Sequence, residues 1–174
     1  MRASTRSSLH RTSYQTPPSH LLLNIYSQTV HIQRGNTVSE HNKAVVRRFN
    51  QQVIAEGDRQ AFDQLVGENF INRSAPAGTP SDRESLWHTF DQILRPAFSH
   101  LEVHIEDQIA ERDWVTTRKT ITGVHSGSLM GIAPTGLPVT IAVIDMVRIE
   151  EGKYAEHWGM NTLAAVMTQL KQFA

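Results

Sequence analysis

The chain has 174 residues, of which 39% are hydrophobic and 20% charged, and it carries equal numbers of basic and acidic side chains. This composition predicts one globular domain with a packed core and some extra chain at an end. The balanced charge disfavours nucleic acid and acidic membrane surfaces as partners, and no apolar run approaches the roughly 20 residues of a membrane span. The absence of cysteine excludes disulfides, thiol nucleophiles and thiolate metal sites. We therefore expect a soluble, cytoplasmic protein.

The N-terminal segment differs in composition from the rest of the chain. Residues 1–39 contain four arginines and neither Asp nor Glu, and they are rich in Ser and Thr. Three interpretations are open: an organellar transit peptide, a disordered tail, or a start codon assigned too far upstream. We favour the third, because Arg34-Gly35 can be encoded by a purine-rich ribosome-binding sequence and Val38 by a GTG start. The expected organisation is an extension over 1–37, without an assigned function, and one domain over 38–174.

Three helices are predicted in the first half of the domain. Thr37 and Glu40 have the spacing of a capping box at the start of the first helix. Asp58 can cap a second, short helix. Ser81 and Glu84 form another capping box, which opens the third helix.

After Pro96 the hydrophobic period changes from that of a helix to two, which predicts antiparallel strands. The expected elements are a half-buried strand from Leu101 to Ile109, strands Trp114–His125, Leu137–Ile149 and Tyr154–Met160, and a short closing helix from Leu163 to Leu170. Helices followed by such strands define an α+β domain, with helices laid across one face of a twisted sheet. The hollow between the two layers suits a small molecule.

The strand Leu137–Ile149 carries one carboxylate in an otherwise apolar stripe. Its alternate residues share one face, and only Asp145 among them is polar. Burial of an unpartnered carboxylate is costly, so Asp145 must be paired, neutral or exposed to a wet cavity. In a cavity, desolvation would raise its pKa toward values useful for acid/base catalysis. The alternative is an Asp at the edge of the core that is satisfied by backbone N–H groups or by an Arg.

Two histidines and four other side chains are further candidates for the site. His157 lies in the next strand, where it could form a proton shuttle with Asp145, and His125 lies at the mouth of the Gly/Pro-rich loop over 126–138. Both histidines could equally be packed or solvated strand residues. The side chains that could line a cavity for a flat ligand are Arg73, Trp87, Tyr154 and Trp158, although aromatic residues of this kind are also common in cores.

Motifs for cofactors are missing from the sequence. The glycines do not have the spacing of a phosphate-binding loop, and no serine lies in a nucleophile elbow. We assign no metal site to the nine histidines. Cofactor-free chemistry or simple binding remains.

Three parts of the sequence together resemble a known family. The first part is Ile105–Glu111, and the second is Thr122–Gly127 followed by Met130–Gly136, with the pattern Thr-Gly-x-His-x-Gly and then Pro-Thr-Gly. The third is the hairpin sequence Ile144–Lys153, followed by the signature Glu156–Trp158. The combination resembles the SnoaL-like polyketide cyclase and ester cyclase group of the nuclear-transport-factor-2-like superfamily.

The resemblance implies a cone-shaped barrel made of a curved, mainly antiparallel sheet, with three N-terminal helices packed on it and an apolar pocket inside. It also implies a homodimer without a metal or organic cofactor. Characterised members close a ring of an aromatic polyketide ester by an intramolecular aldol step, with a pocket Asp as acid/base. Members commonly carry one Asp directly after the signature Trp and another three residues later, where this chain has Gly159 and Thr162.

We therefore predict a SnoaL-like enzyme that performs enolisation, aldol cyclisation or isomerisation on a small apolar carbonyl compound. Asp145 would be the acid/base, with His157 and His125 orienting or polarising the substrate. The alternative is a non-catalytic domain of the same fold that binds a hydrophobic ligand or serves in dimerisation, which the loss of both acids favours. The hypotheses differ in whether Asp145 and a histidine lie within hydrogen-bonding reach inside a closed pocket.

Overall fold

The computed structural model describes residues 37–174, together with Asn24 and Ser27. The predicted extension over 1–37 lies outside the described residues, except at those two positions and at its last residue. In the part of the chain that is described, no helix combines the length and the apolar character that crossing a bilayer requires.

Four helices occur within the described residues. Helix α1 covers 37–55 and is π-helical over Phe49–Ala55, and α2 covers Arg59–Leu65. Helix α3 is continuous over 83–97, with a π-helical stretch at Thr89–Leu94, and α4 covers Leu163–Leu170. The three predicted N-terminal helices and the closing helix are confirmed.

Two of these helices begin with a capping aspartate. The Asp58 side chain accepts a hydrogen bond from the Ala61 backbone N–H at 3.0 Å, as the sequence predicts. Helix α3 is capped by Asp82, which accepts from the Ser85 N–H at 2.9 Å, and not by Ser81. The capping-box spacing therefore located this helix correctly but placed its cap one residue too early.

The end of α1 is tied to α3 by Arg95. Its guanidinium donates hydrogen bonds to the backbone oxygens of Val53, Ile54 and Ala55 at 2.8 to 3.2 Å. These carbonyls have no partner inside the helix, so the arginine supplies one from the neighbouring helix. Gly57 follows with a positive φ of 76°, and a Cβ there would lie 2.4 Å from the Arg95 guanidinium carbon.

Five strands form one sheet in the order β1–β5–β4–β3–β2. Their bounds are β1 Val66–Asn72, β2 Phe98–Glu111, β3 Trp114–His125, β4 Pro138–Glu150 and β5 Lys153–Asn161. Strand β1 runs parallel to β5, and the other neighbours are antiparallel. The sheet is curved but does not close, so the predicted mainly antiparallel cone is confirmed as an open one.

One face of the sheet, which we call the inner face, packs against the helices. The predicted stripe on β4 lies on this face, with Val139, Ile141 and Val147 in the hydrophobic core. Asp145 is 5% exposed within the same stripe. It pairs with Gly159 of β5. This register brings the inner-face residues of β4 and β5 to the same place on the sheet.

The pairing of β2 with β3 shifts register twice, and the second shift changes the alternation predicted for β2. This second shift lies between Ile105 and Asp107, as at a β-bulge. Because of the shift, Ile109 lies on the outer face and is 73% exposed, whereas simple alternation predicts it on the buried face.

Candidate active site

A cavity of about 190 Å³ lies between the inner face of the sheet and helices α1, α3 and α4. Its apolar wall is formed by Ile54, Leu86, Phe90, Leu94, Ile121, Ile141, Val143 and Leu163. Most of the polar side chains are grouped on the side of the sheet, and they are Asn72, Ser74, Lys119, Asp145, His157 and Asn161. Thr89 adds a hydroxyl from α3. A mostly apolar wall with a few converging polar groups is typical of small-molecule sites.

Asp145 is held by a buried lysine. The Lys119 Nζ atom lies 2.6 Å from Asp145 Oδ2, and the two side chains are only 4% and 6% exposed. The same ammonium donates to Asn50 Oδ1 at 2.7 Å. The Asn50 amide group in turn donates to the Val46 backbone oxygen at 2.8 Å, which fixes the orientation of the amide. The buried carboxylate is thus paired, one of the states that the sequence left open, and its partner is a lysine, whereas the sequence offered backbone N–H groups or an arginine.

The role of Lys119 was missed from the sequence, although a signal was present. On β3, Lys119 lies on the same face as Val115, Thr117 and Ile121, all of which are buried. A lysine in phase with buried residues on a strand requires a partner for its charge. The only carboxylate in the inner stripe of the adjacent strand is Asp145.

His157 stands beside this pair at the distance of an ion pair, since its Nε2 atom lies 4.0 Å from Asp145 Oδ2. The hydrogen bond between Asp145 and a histidine, which separates the two hypotheses drawn from the sequence, is therefore not formed. The other ring nitrogen of His157, Nδ1, lies 3.2 Å from Asn72 Oδ1. That oxygen also accepts the Ser74 backbone N–H at 3.0 Å, which identifies it as the amide oxygen. His157 Nδ1 must therefore be the donor, and Nε2 carries a lone pair beside Asp145.

Gly159 makes room for this imidazole. A Cβ atom at position 159 would lie 2.8 Å from Cε1 and 2.9 Å from Nε2 of His157. Any larger residue would therefore force the ring out of its place next to Asp145. In this chain the glycine at position 159 thus leaves the space that the His157 ring occupies.

The pKa of His157 is lowered from its ordinary value of 6.5. Burial is the main cause, because it disfavours the charged ring; the Asp145 carboxylate opposes this effect and the Lys119 ammonium adds to it. At neutral pH the ring is therefore uncharged. The arrangement is chemically suited to take up a proton at Nε2, since Asp145 stabilises the resulting imidazolium.

His125 belongs to a different part of the molecule. It does not line the cavity, and its side chain is fully buried at the base of the loop over 126–137. Its Nδ1 atom accepts the Thr135 backbone N–H at 3.3 Å and lies 3.0 Å from the Thr135 hydroxyl. The proton must therefore be on Nε2, which is buried without a hydrogen-bond partner. In this position His125 holds the loop.

Two of the predicted ligand-binding aromatics are packed elsewhere. Trp87 lies against Phe62, with ring centroids 5.2 Å apart, and does not line the cavity. Tyr154 is stacked on Phe49 at 4.3 Å. Burial, and to a lesser degree the charge of Asp145, raise the pKa of the Tyr154 hydroxyl well above its ordinary value, so it stays neutral.

The other two predicted ligand-binding residues, Trp158 and Arg73, also lie away from the cavity. Trp158 packs against Trp114 on the outer face, with centroids 5.3 Å apart. The Arg73 guanidinium bonds the Glu156 carboxylate at 2.7 Å, and Arg148 bonds its other oxygen at 2.9 Å. These two hydrogen bonds lower the pKa of Glu156. The structure thus brings together Asp145 and His157 from the predicted set, and adds Lys119.

No group of three or more His, Asp or Glu side chains within the described residues is placed to hold a metal ion. His100 and His104 have the i, i+4 spacing that binds metal on a helix, but both lie on β2. Strand residues four apart are separated by about 13 Å, so one ion cannot bridge them.

The fold and the cavity define a small-molecule-binding domain of the cone-shaped α+β type. The sequence model of the SnoaL-like polyketide cyclase family matches residues 44–170. The chain therefore belongs to the SnoaL-like polyketide cyclase family. No curated protein sequence matches it.

Solved structures with the same fold cover most of both chains. TsrD from Streptomyces laurentii is 23% identical, with a TM-score of 0.66 over 75% of this chain and 95% of its own. A suggested SnoaL-like polyketide cyclase from Jannaschia sp. CCS1 is 23% identical, with a TM-score of 0.68 over 77% of this chain and 94% of its own. IdmH, a suggested polyketide cyclase from Streptomyces antibioticus, is 25% identical, with a TM-score of 0.65 over 74% of this chain and 97% of its own.

Proposed function

We propose that this protein is a cofactor-independent acid/base enzyme, which catalyses enolisation followed by aldol cyclisation or isomerisation of a small, mostly apolar carbonyl compound. The observation that carries the proposal is the neutral His157 in the wall of the cavity. Its unprotonated Nε2 atom lies 4.0 Å from Oδ2 of the buried Asp145 carboxylate. Membership of the SnoaL-like polyketide cyclase family supports a cyclase-type reaction.

The proton transfers balance within the cluster. His157 Nε2 takes a proton from the carbon next to the carbonyl group, and the C–H electron pair becomes the enolate. The imidazolium formed is stabilised by the charge of Asp145. The enolate carbon then attacks a second carbonyl carbon, and His157 returns its proton to the new alkoxide; in an isomerisation the proton returns to another carbon.

The roles in this proposal differ from those of the sequence-based hypothesis, in which Asp145 is the acid/base. Its Oδ2 atom is bound by Lys119, and its Oδ1 atom is buried without a hydrogen-bond partner. A substrate carbon reaches the half-buried ring of His157 more readily than either oxygen. We therefore assign Asp145 to stabilise and position the imidazolium, and His157 to transfer the proton.

The test is deuterium exchange at the carbon next to the carbonyl of 2-tetralone, a small apolar ketone, followed by NMR in D₂O. We expect His157→Gln to lower the protein-dependent exchange rate about 10²- to 10⁴-fold, the usual contribution of a general base. Asp145→Asn should lower it less, because the base remains. His125→Gln is the matched control and should keep the rate. Circular dichroism checks that each variant is folded.

Exchange that is equal in His157→Gln and wild type would refute the assignment. If exchange is equal in the two proteins and the wild type still binds 2-tetralone, the non-catalytic alternative is correct, in which the pocket only binds a hydrophobic ligand.

We further propose that the protein is a homodimer joined through the outer face of the sheet. This face exposes Ile144 and Met160, which pair across β4 and β5, at 55% and 80%. Met146 lies beside them and is also exposed. An exposed apolar patch favours association, and a two-fold axis lets the same patch meet its own copy.

Sedimentation velocity tests the dimer. The wild type should sediment as a dimer, and the double variant Ile144→Lys/Met160→Lys as a folded monomer, since burying the two lysines is costly. Phe173→Lys is the control, because Phe173 is 67% exposed but lies outside this face. A monomeric wild type would refute the proposal.

A further inference from the structure

The Lys119 ammonium has a donor to spare. An ammonium group carries three N–H donors. Among the described residues, its oxygen partners are Asn50 Oδ1, hydrogen-bonded at 2.7 Å, and Asp145 Oδ2, ion-paired at 2.6 Å. Lys119 also contributes to the cavity wall and is 4% exposed. The third N–H is therefore available to an oxygen atom of a molecule inside the cavity.

The charges around the cavity favour a negative oxygen at this place. Lys119 and Asp145 are the two charged side chains in the cavity wall, as far as the structure describes it, since burial keeps His157 neutral. The Asp145 carboxylate lies to one side of the ammonium and Asn50 to another, and the remaining wall is mostly apolar. Where water is excluded, hydrogen bonds between an ammonium and an anionic oxygen are strong.

We infer that Lys119 is an oxyanion-binding residue, and that the cavity takes compounds with an acidic enol or phenol hydroxyl and holds them as anions. On binding, the hydroxyl proton passes to solvent or to Nε2 of His157, and the oxygen that has lost it accepts the third N–H of Lys119. The inference rests on the proposed function in one respect, since it names the substrate class: carbonyl compounds whose enolate oxygen Lys119 stabilises.

The Asp145 carboxylate sets the strength of this interaction. Its negative charge beside Lys119 offsets the attraction of the ammonium for a second anion. Removing that charge while keeping the shape, as in Asp145→Asn, should therefore strengthen the binding of an anionic oxygen. The same substitution weakens the proposed catalysis, because it removes the stabilising partner of the His157 imidazolium. The two roles thus respond to one substitution in opposite directions.

The experiment uses 4-nitrophenol, whose anion absorbs at a longer wavelength than its neutral form, so that absorbance reports the ionisation of the bound ligand. The decisive pair of proteins is Asp145→Asn and Lys119→Met/Asp145→Asn. Neither contains the buried carboxylate, so neither leaves an unpaired aspartate, and they differ only in the ammonium. Wild-type protein completes the set, and circular dichroism confirms the fold of each.

We expect the bound ligand to be more ionised than free 4-nitrophenol in the wild type, and more ionised still in Asp145→Asn. Adding Lys119→Met should lower the ratio of bound phenolate to phenol about tenfold or more, since a hydrogen bond to a charged group is lost. An equal ratio in the two variants, or no saturable binding to the wild type, would overturn the inference.

The outcome is separable from that of the proposed function. If 2-tetralone exchange fails in the wild type while the ionisation of 4-nitrophenol depends on Lys119, the catalytic proposal is wrong and the oxyanion-binding residue stands. If exchange depends on His157 but 4-nitrophenol ionises equally with and without Lys119, the enolate is stabilised by another group.

Discussion

The cavity around His157 and the loop base around His125 use the same residue type in opposite ways. Both rings bond an oxygen through Nδ1 at 3.0 to 3.2 Å. Because Asn72 presents an acceptor, His157 keeps a lone pair on Nε2, next to a carboxylate and a cavity. Because the Thr135 N–H is a donor, His125 keeps a proton on a buried Nε2. The partner of one nitrogen thus decides whether the other can act as a base.

The two regions also differ in what a glycine does for each of them. Near His125, a Cβ on Gly127 would lie 2.0 Å from the Pro96 backbone oxygen. Near His157, a Cβ on Gly159 would clash with the imidazole ring at 2.8 Å, while its next neighbour, Asp145 Cβ, lies at an ordinary contact distance of 3.8 Å. Backbone cannot move aside without disturbing the fold, whereas a side chain can rotate away. The loop should therefore respond to a substitution through stability, and the cavity through activity.

The largest effect is expected for Gly127→Ala. The methyl group collides with a backbone oxygen, so the contacts of the loop with Pro96 and Ala97 must break. We expect the free energy of unfolding to fall by at least about 3 kcal/mol, in the range of severe steric substitutions. Urea denaturation measures this, with Ser128→Ala in the same loop as the control. An alanine variant as stable as the wild type would contradict the close approach of the two backbones.

Gly159→Ala comes next and tests the other half of the comparison. The methyl group should turn the His157 ring away from Asp145, and we expect 2-tetralone exchange to fall about 100-fold, comparable with loss of a general base. The unfolding free energy should change little. In the double variant Gly159→Ala/His157→Gln, exchange should fall no further than in His157→Gln, because both changes remove the same group. Additive losses would show that Gly159 acts independently of His157.

Thr135→Val tests the loop base with a smaller change. The variant keeps the shape of the side chain and removes the hydroxyl, which bonds His125 Nδ1 at 3.0 Å and accepts the Leu137 backbone N–H at 3.4 Å. We expect a loss of about 1 to 2 kcal/mol in unfolding free energy, the net value of two hydrogen bonds, with unchanged exchange. Thr140→Val, at an exposed position of β4, is the control. Reduced exchange in Thr135→Val would mean that the loop base and the cavity are coupled.

Sequence reasoning found the parts of the fold that depend on local patterns. The stripe of β4, with Asp145 in it, follows from strict alternation along one strand. The hairpin Ile144–Lys153 turns at Glu151 and Gly152, which have positive φ of 51° and 74°, as short hairpin loops require. The position of Asp145 on the inner face was therefore predictable before any contact was known.

The rest of the site depends on pairings that one strand does not encode. Strand β1, with the sequence VGENFIN, does not alternate, and its parallel pairing with β5 brings Asn72 beside His157. That contact fixes the tautomer of His157, and nothing local indicates it. The bulge that exposes Ile109 is likewise a property of the β2–β3 pair. Lys119 was recognisable because it falls on the buried face of β3. Its partner, Asp145, becomes evident only once β3 and β4 are known to be neighbours in the sheet.

The smallest expected effect concerns stability at acid pH. Because the pKa of His157 lies below 6.5 in the folded state, the unfolded chain binds more protons between that lower value and 6.5. Stability should therefore fall as the pH drops through this window and be unaffected above it. We expect this pH dependence to be absent from His157→Gln, as measured by urea denaturation of both proteins from about pH 5 to 8. Exchange should fall in the same window, because protonated His157 is no longer a base. If the wild type and His157→Gln showed the same pH dependence of stability, His157 would not be the desolvated, neutral ring that distinguishes the cavity from the loop.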